Sequence, residues 1–550
     1  WVAQTDPDGK TWKIVSIGYR NAYDMDFNPE GELFTYDADM EWDLGSPWYR
    51  PTRLCHASSG SEFGWRSGTG KWPTWYADSL PPVVDIGPGS PVGVTFGTGT
   101  KFPAKYQRAI YLLDWTFGTM YAIHLTPRGA SYVGTREEFL SRTPLPLTDA
   151  VVGSDGALYF TVGGRGAQSE LFRVTYTGTG STAAAKPVAD GFSELRKLRR
   201  RLEQFHGQRH PTAVKTAWTH LGHPDRHIRY AARLALEAQA PALWQDAALT
   251  LSGAQARLTA LIGVARQGQK SMQPKLIASL NELDFTRLPV NQQLQLLRAY
   301  SLTFIRMGRP GQAVAATVVS RLDSSFPARG DRINRDLSQL LVYLHSPTVI
   351  DKTLVQLKKP SPQVKRDMAE LLARNRGYGS TIAQMLANHP ELQKIHYAFV
   401  LRTLRYGWTL EQRRDYFSWI DGAGRKSGGA SYRGFLNNIR TEALANLSEA
   451  EKKALASTVV PPATKLETLP APRGPGHAWT AGELVSLTRK GLHGRNFTNG
   501  RRTYLAARCG ACHRFDGDGG ATGPDLSNVA GRFSFKDLAE SLVDPSKVIS

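Results

Sequence analysis

Cysteine is nearly absent, three among 550 residues. Three thiols cannot build a disulfide framework, so burial and hydrogen bonding must hold the chain together. Long apolar runs are absent too: none approaches the ~20 residues that a membrane helix needs, so no transmembrane helix is expected in this sequence. Acidic residues are in deficit, 48 against 68 Lys and Arg, for a net charge of +20 and a pI near 9.8. That balance admits nucleic acid, anionic glycans or an acidic redox partner. Yet no lysine or arginine run is interleaved with aromatics. The nearest, Arg196-Lys197-Leu198-Arg199-Arg200-Arg201, reads as the opening of an amphipathic helix, so no specific nucleic-acid binding is expected. Methionine runs out at Met385. The chain opens on Trp1 without an export signal and stops within Asp544-Pro545-Ser546-Lys547-Val548-Ile549-Ser550; we expect a fragment or processed product of a longer protein.

A chain of 550 residues exceeds one ordinary core, and three textures are visible in it. Residues 1–180 are rich in Gly, Pro, Trp and Tyr, with short apolar runs between turn signals, and read as part of a β-propeller. Phe27-Asn28-Pro29-Glu30-Gly31-Glu32-Leu33-Phe34 and Gly153-Ser154-Asp155-Gly156-Ala157-Leu158-Tyr159-Phe160 look alike, each a turn closing on glycine before a strand. Their glycines lie 125 residues apart, close to three blades of ~40–45 residues. Residues 109–115 and 120–125 read as a hairpin, and 171–176 as a closing strand. A small-residue linker over 178–190 follows. Residues 192–457 carry helical periodicity broken by Pro, Gly and Asp, as in Pro224-Asp225 before Ile228, Ala231, Ala232 and Ala235, and again from Ser361-Pro362 to Leu372. Such helix pairs bury their apolar faces by stacking, which points to an all-α, HEAT-like solenoid. Residues 458–478 form a Pro/Gly linker, and 479–550 the last domain.

That domain carries two of the three cysteines. Cys509-Gly510-Ala511-Cys512-His513 is C-x-x-C-H, the attachment signature of a c-type haem. Two thiols at this spacing can add to the two haem vinyl groups, and the adjoining imidazole of His513 becomes the proximal iron ligand. A thioredoxin-like redox pair is the competing reading of two such cysteines. Phe515, Leu526, Val529, Phe533, Phe535 and Leu538 supply apolar bulk for a haem pocket. Asp516-Gly517-Asp518-Gly519-Gly520 lacks the remaining ligands of a calcium loop and reads as a turn. The third cysteine, Cys55, precedes His56; no partner acid can be assigned, and packing is favoured over catalysis.

Gly500 and Tyr504, one helical turn apart ahead of the motif, resemble the first helix of class I cytochromes c. Pro524 sits where such cytochromes place a proline whose carbonyl accepts the proximal imidazole's Nδ1–H, which would fix the tautomer of His513. The run from Cys509 to Leu526, with Val529 to Ser534 and the Asp544-Pro545-Ser546 ending, closely resembles the haem-binding domain of planctomycete and verrucomicrobial proteins. In that family the domain follows HEAT-like repeats and a propeller similar to sorbosone or soluble glucose dehydrogenases. The resemblance implies haem c, export from the cytoplasm to the periplasm or cell surface, and a redox partner protein. It also implies a distal methionine downstream of Ser550. Within this chain only weak candidates for the sixth ligand exist, His477 and His493.

The reading that needs only visible residues is an extracytoplasmic c-type cytochrome, held by Cys509 and Cys512, ligated by His513 and walled by Tyr504, Pro524, Leu526 and Phe533. It would transfer electrons from an attached or partner dehydrogenase. One alternative makes the chain an oxidoreductase itself, a sugar or alcohol dehydrogenase using a quinone cofactor and calcium in the propeller with a carbohydrate substrate. The acid-rich loops at Asp37-Ala38-Asp39 and Glu41-Trp42-Asp43 are its candidate metal holders. A third reading is a glycan- or protein-binding scaffold that carries a haem.

Overall fold

The structure is a computed structural model. It describes the chain except residues 41–42, 68–69, 143, 165–166, 187–189, 361–389, 427, 430, 457–475, 490–493, 516–517, 520–525, 527–528, 530–532 and 546–550. The second helical unit expected from Ser361 therefore lies outside the described residues.

Strands occupy Val2 to Val174. Three antiparallel sheets follow one another along the chain. The first orders Met25–Phe27, Leu33–Asp37, Thr52–His56 and Val84–Gly87; the second Pro91–Phe96, Ile110–Asp114, Thr119–Arg128 and Ser131–Ser141; the third Leu147–Val152, Leu158–Gly164 and Ala167–Val174. The expected hairpin is present, with Ile110 opposite Ile123 and Asp114 opposite Thr119. Its alternation explains the stacking. Ile110, Leu112, Tyr121 and Ile123 pack with Phe34, Tyr36 and Leu54 of the first sheet. Tyr111, Leu113, Met120 and Ala122 pack with Leu147, Leu158 and Phe160 of the third. Because successive side chains point to opposite faces, one apolar strand serves both cores, as blade-on-blade stacking requires. The edge of the second sheet is covered: the Asp24 and Asp26 carboxylates accept the backbone N–H groups of Val94 and Phe96, each at 2.7 Å.

Gly31 and Gly156 take the left-handed φ values their turns need, 77° and 81°. Each turn opens a sheet, but the 125 residues between them step across two sheets rather than three. Insertions at 57–83 and 97–109 lengthen the repeat beyond what spacing alone suggests. The described sheets do not close a ring.

Helices dominate from Ser193. Arg226–Glu237 begins where expected, with the Asp225 carboxylate accepting from the His227 and Ile228 N–H groups, and Ile228, Ala231, Ala232 and Ala235 are buried. Thr409 caps Leu410–Ala423 in a full capping box with Gln412. Helices 226–237, Ala254–Gln267, Val290–Met307, Asp331–Tyr343 and Leu392–Leu401 lie side by side in one layer, with shorter helices packed behind. One apolar core runs through them from Leu202 to Leu455.

This layer is not free. The loops of the β region between Asp43 and Ser79 lie on it. Asp78 makes a two-point ion pair with Arg298 at 2.8 Å, and both side chains are buried. Arg226 donates to the carbonyls of Thr74, Tyr76 and Ser79, and the Trp75 indole donates to Asp336. The basic run at 196–201 is part of the same join. Helix Ser193–Glu203 turns Arg199 onto Glu32 at 2.6 Å and Arg196 onto Asp190 and Glu30. The linker is tied down as well, through Gln107 bonds to Thr182, Ala183 and Ala185. β and helical regions therefore share a buried, charge-paired interface.

Candidate functional site

The haem motif follows helix Phe497–Ala506, whose N-cap Asn496 accepts from the Asn499 N–H. Arg508 turns the chain with a left-handed φ of 63°, and Cys509–Cys512 forms one helical turn. A turn of 3.6 residues puts positions i and i+3 on one face, so both thiols share a side. Neither is disulfide-bonded; Cys509 is half-buried and Cys512 exposed. The His513 N–H closes the turn on the Cys509 carbonyl at 2.9 Å, and His513 leaves it in an extended conformation.

Tyr504 does more than wall a pocket. Its hydroxyl donates to the His513 carbonyl at 2.7 Å, and its ring lies 6.2 Å from that of Phe515. Among the described residues the close approach is at Gly510, not Gly500. A Cβ at Gly500 would meet nothing within 4 Å, whereas one at Gly510 would lie 2.9 Å from Leu505 Cδ2 and 3.1 Å from Tyr504 Cε1. The thiol-bearing turn thus packs directly on the helix before it. Leu526, Val529 and Phe533 are half-buried, joined by Val529 and Phe533 N–H bonds to the Leu526 and Val529 carbonyls. Phe533 and Leu538 face a cleft of about 430 Å3 shared with Pro146 and Val162 of the third sheet. Pro524 and His493 lie outside the described residues. His477 is exposed beside Glu483 and the Trp479 ring, away from the motif in sequence.

The donor chemistry here suits a covalently held haem. Two unbonded, accessible thiols share one face of a turn, an imidazole adjoins them, and Phe497, Phe515 and Phe535 expose 64%, 39% and 47% of their surface nearby in the chain. Aromatic rings left that open are what a macrocycle would cover.

Cys55-His56 resolves differently. Cys55 is fully buried, and burial pushes its thiol up to about 12, so it is inert. His56 does find an acid. Its Nε2 lies 2.9 Å from Glu32 Oε2 and its Nδ1 2.8 Å from Ser131 Oγ. Burial lowers the His56 pKa, so the ring is neutral: Nε2–H donates to Glu32, and Nδ1 accepts from Ser131. Burial alone would raise the Glu32 carboxyl, but the His56 hydrogen bond and the Arg199 charge outweigh it and hold it at about 2. The Ser–His–Glu order is that of a nucleophilic triad. With Ser131 2% exposed and its hydroxyl spent on His56, no substrate reaches it. Glu32 was invisible as a partner in sequence because it sits 24 positions away, in the turn before the preceding strand.

The acid-rich loops are likewise engaged. Asp37 is buried between Arg53 and Lys71, Asp39 accepts from the Tyr49 hydroxyl, and Asp43 from Trp48 and Ser431; Glu41 lies outside the described residues. No metal-binding group of three His, Cys, Asp or Glu side chains occurs among the described residues. No described helix is long and apolar enough to cross a membrane.

Comparison with known proteins places the C-terminal domain. Residues 497–548 match the cytochrome c family, whose members carry haem c and transfer electrons. No curated protein matches the chain. Three solved structures are similar in part. An oxidoreductase (glucose dehydrogenase) from Thermus thermophilus is 21% identical, with a TM-score of 0.22 over 27% of this chain and 41% of that one. A glucose dehydrogenase is 19% identical, with a TM-score of 0.25 over 31% and 49%. The PQQ-bound form of an aldose sugar dehydrogenase from Streptomyces coelicolor is 17% identical, with a TM-score of 0.22 over 29% and 45%. The chain spans less than half the length of each.

Proposed function

We propose that Cys509 and Cys512 hold a haem c through two thioether bonds, that His513 is its proximal ligand, and that the chain acts as an extracytoplasmic electron-transfer protein. The carrying observation is the pair of unbonded thiols on one helical turn, followed directly by an imidazole, inside residues that match cytochrome c. Haem supplies one-electron redox chemistry; the chain supplies attachment, orientation and exclusion of water. The Tyr504 hydroxyl anchors the backbone of His513, and Gly510 lets the attachment turn seat on Tyr504 and Leu505. By the resemblance to class I cytochromes c, the Pro524 carbonyl would accept the His513 Nδ1–H and so orient the imidazole as a haem ligand. Leu526 and Phe533 would wall the macrocycle. Besides His513, water, His493 or a partner's side chain would serve as a further ligand to the haem iron. A pyridine haemochrome spectrum of the chain, matured in a host that attaches haem c, tests this. A c-type band lost in Cys512→Ser supports it, and no covalent haem in the wild-type chain refutes it.

The donor is an attached or partner dehydrogenase, and the acceptor a separate redox protein. A quinone-dependent sugar or alcohol dehydrogenase fused to the cytochrome is the second reading, favoured by the sheet-on-sheet β region. It would add a quinone cofactor, calcium and a carbohydrate substrate. Turnover of a sugar panel by quinone-loaded protein with an artificial acceptor tests it. We take the helical layer to be of HEAT type, and its contact with the chain's own loops disfavours the scaffold reading.

A further inference from the structure

The loop at Thr74–Pro81 does not fill the helical layer it crosses. Between it and helices 226–237, 254–267 and 290–307 lies a cleft of about 370 Å3. That is the size of a monosaccharide-scale pocket, not of a macromolecular groove. Arg226, Arg229, Arg233 and Arg332 line it, and no carboxylate among the described residues does.

The charges around this cleft do not cancel. Arg226 and Arg229 bond only backbone carbonyls, those of Thr74, Tyr76 and Ser79 for the first and His223 and Pro224 for the second. Arg332 lies over the Trp75 ring at 5.6 Å. None of the three forms an ion pair with a carboxylate among the described residues. Arg233 is 1% exposed and pairs with Glu237, but its Nη2 is buried with no hydrogen-bond partner. The acids behind them are shared out: Glu237 also takes Arg266, and Asp78 takes Arg298 and Arg266. Two carboxylates thus serve three guanidiniums, and three more face the cleft with no direct ion pair to a described acid, Asp78 and Asp225 acting on Arg226 and Arg229 only from a distance. Burial and the neighbouring Arg229 charge outweigh the more distant pull of Asp78 and hold Arg226 down at about 10. Asn291 and Gln295 add neutral lining, the Gln295 amide being bonded to Gln255 and to the Asn291 carbonyl.

We propose that this cleft binds a small oxyanion ligand, a molecule of sugar size carrying a carboxylate, sulfate or phosphate. Guanidinium forks match the planar or tetrahedral oxygens of such groups, and the low dielectric of a half-closed cleft strengthens the pairing. The site stands apart from the haem motif and does not depend on it.

Titration calorimetry on the full chain at constant ionic strength tests it, with D-glucuronate and inorganic phosphate as probes and D-glucose as the uncharged control. One saturable site is expected for at least one anion, and none for glucose. Arg229→Gln and Arg332→Gln should each weaken binding about tenfold, as expected for a lost charge-assisted hydrogen bond, with the unfolding midpoint unchanged. Lys453→Gln, an exposed charge elsewhere, should leave the affinity as it was. Glucuronate binding without phosphate binding identifies a carboxylate ligand; the reverse identifies a phosphate ester. No saturable binding of either anion overturns the proposal. So do wild-type affinity in both arginine variants and an equal loss in Lys453→Gln.

Discussion

Glu32 joins three parts of the molecule through one carboxylate. It accepts from His56 on the neighbouring strand and from Arg199 on the first long helix, with Arg200 3.5 Å away. Replacing it by glutamine keeps the volume and removes the charge. Arg199, 1% exposed, is then left with Glu203 alone. The fall of the Glu32 pKa from 4.5 to about 2 corresponds to about 3 kcal/mol, at about 1.4 kcal/mol per pH unit. Breaking a buried ion pair typically costs about 3–5 kcal/mol, so the two figures agree. The sign follows from the depressed pKa. The stabilisation is present in full above pH 4.5 and is lost as pH falls through about 2. Chemical denaturation of Glu32→Gln should show a loss of about 3 kcal/mol at pH 7, narrowing to about half or less at pH 3. Unchanged stability at pH 7, or a loss of equal size at both pH values, would refute the assignment of this carboxylate as the clamp between the β and helical regions.

Asp336 runs the opposite way. Burial raises it to about 6, although the Trp75 N–H and nearby Arg335 oppose this, so the folded state loses stability as pH rises from about 4 to 6. Asp336→Asn should therefore stabilise the protein at pH 8, by about 2–3 kcal/mol, and have little effect at pH 4, read from urea midpoints; no gain at pH 8 would contradict that pKa. Alkylation of the native, haem-free chain should modify Cys509 and Cys512 and spare Cys55, which is fully buried with its thiol at about 12. Peptide mapping that finds Cys55 labelled as fast as the other two would contradict its burial.

What could be read in sequence was local. C-x-x-C-H, the helix start at Asp225 and the hairpin at 110–125 each depend on residues a few positions apart, whose geometry one turn or one tight loop dictates. What could not be read was long-range pairing. Arg199 and Glu32 are 167 positions apart, and Arg298 and Asp78 are 220 apart. Nothing in an arginine run says which acid it will meet, so 196–201 could be read only as an amphipathic helix. The same gap hid Glu32 behind Cys55-His56 and made Asp37-Ala38-Asp39 look open to a metal, when Arg53 and Lys71 already hold Asp37. The repeat length misled because insertions change spacing without changing the sheets. In the last domain, Tyr504 was recognisable as a packing aromatic, but its bond to the His513 carbonyl depends on the left-handed turn at Arg508.

The central claim is that Cys509 and Cys512 carry a covalent haem. Intact-mass analysis of the full chain, matured beside a c-haem attachment system, tests it most directly. A gain of one haem is expected that survives acid denaturation, maps to the peptide spanning Cys509 to His513, and disappears when both cysteines are replaced by serine. A fully matured chain at its bare polypeptide mass, or haem retained by the double variant, would contradict it.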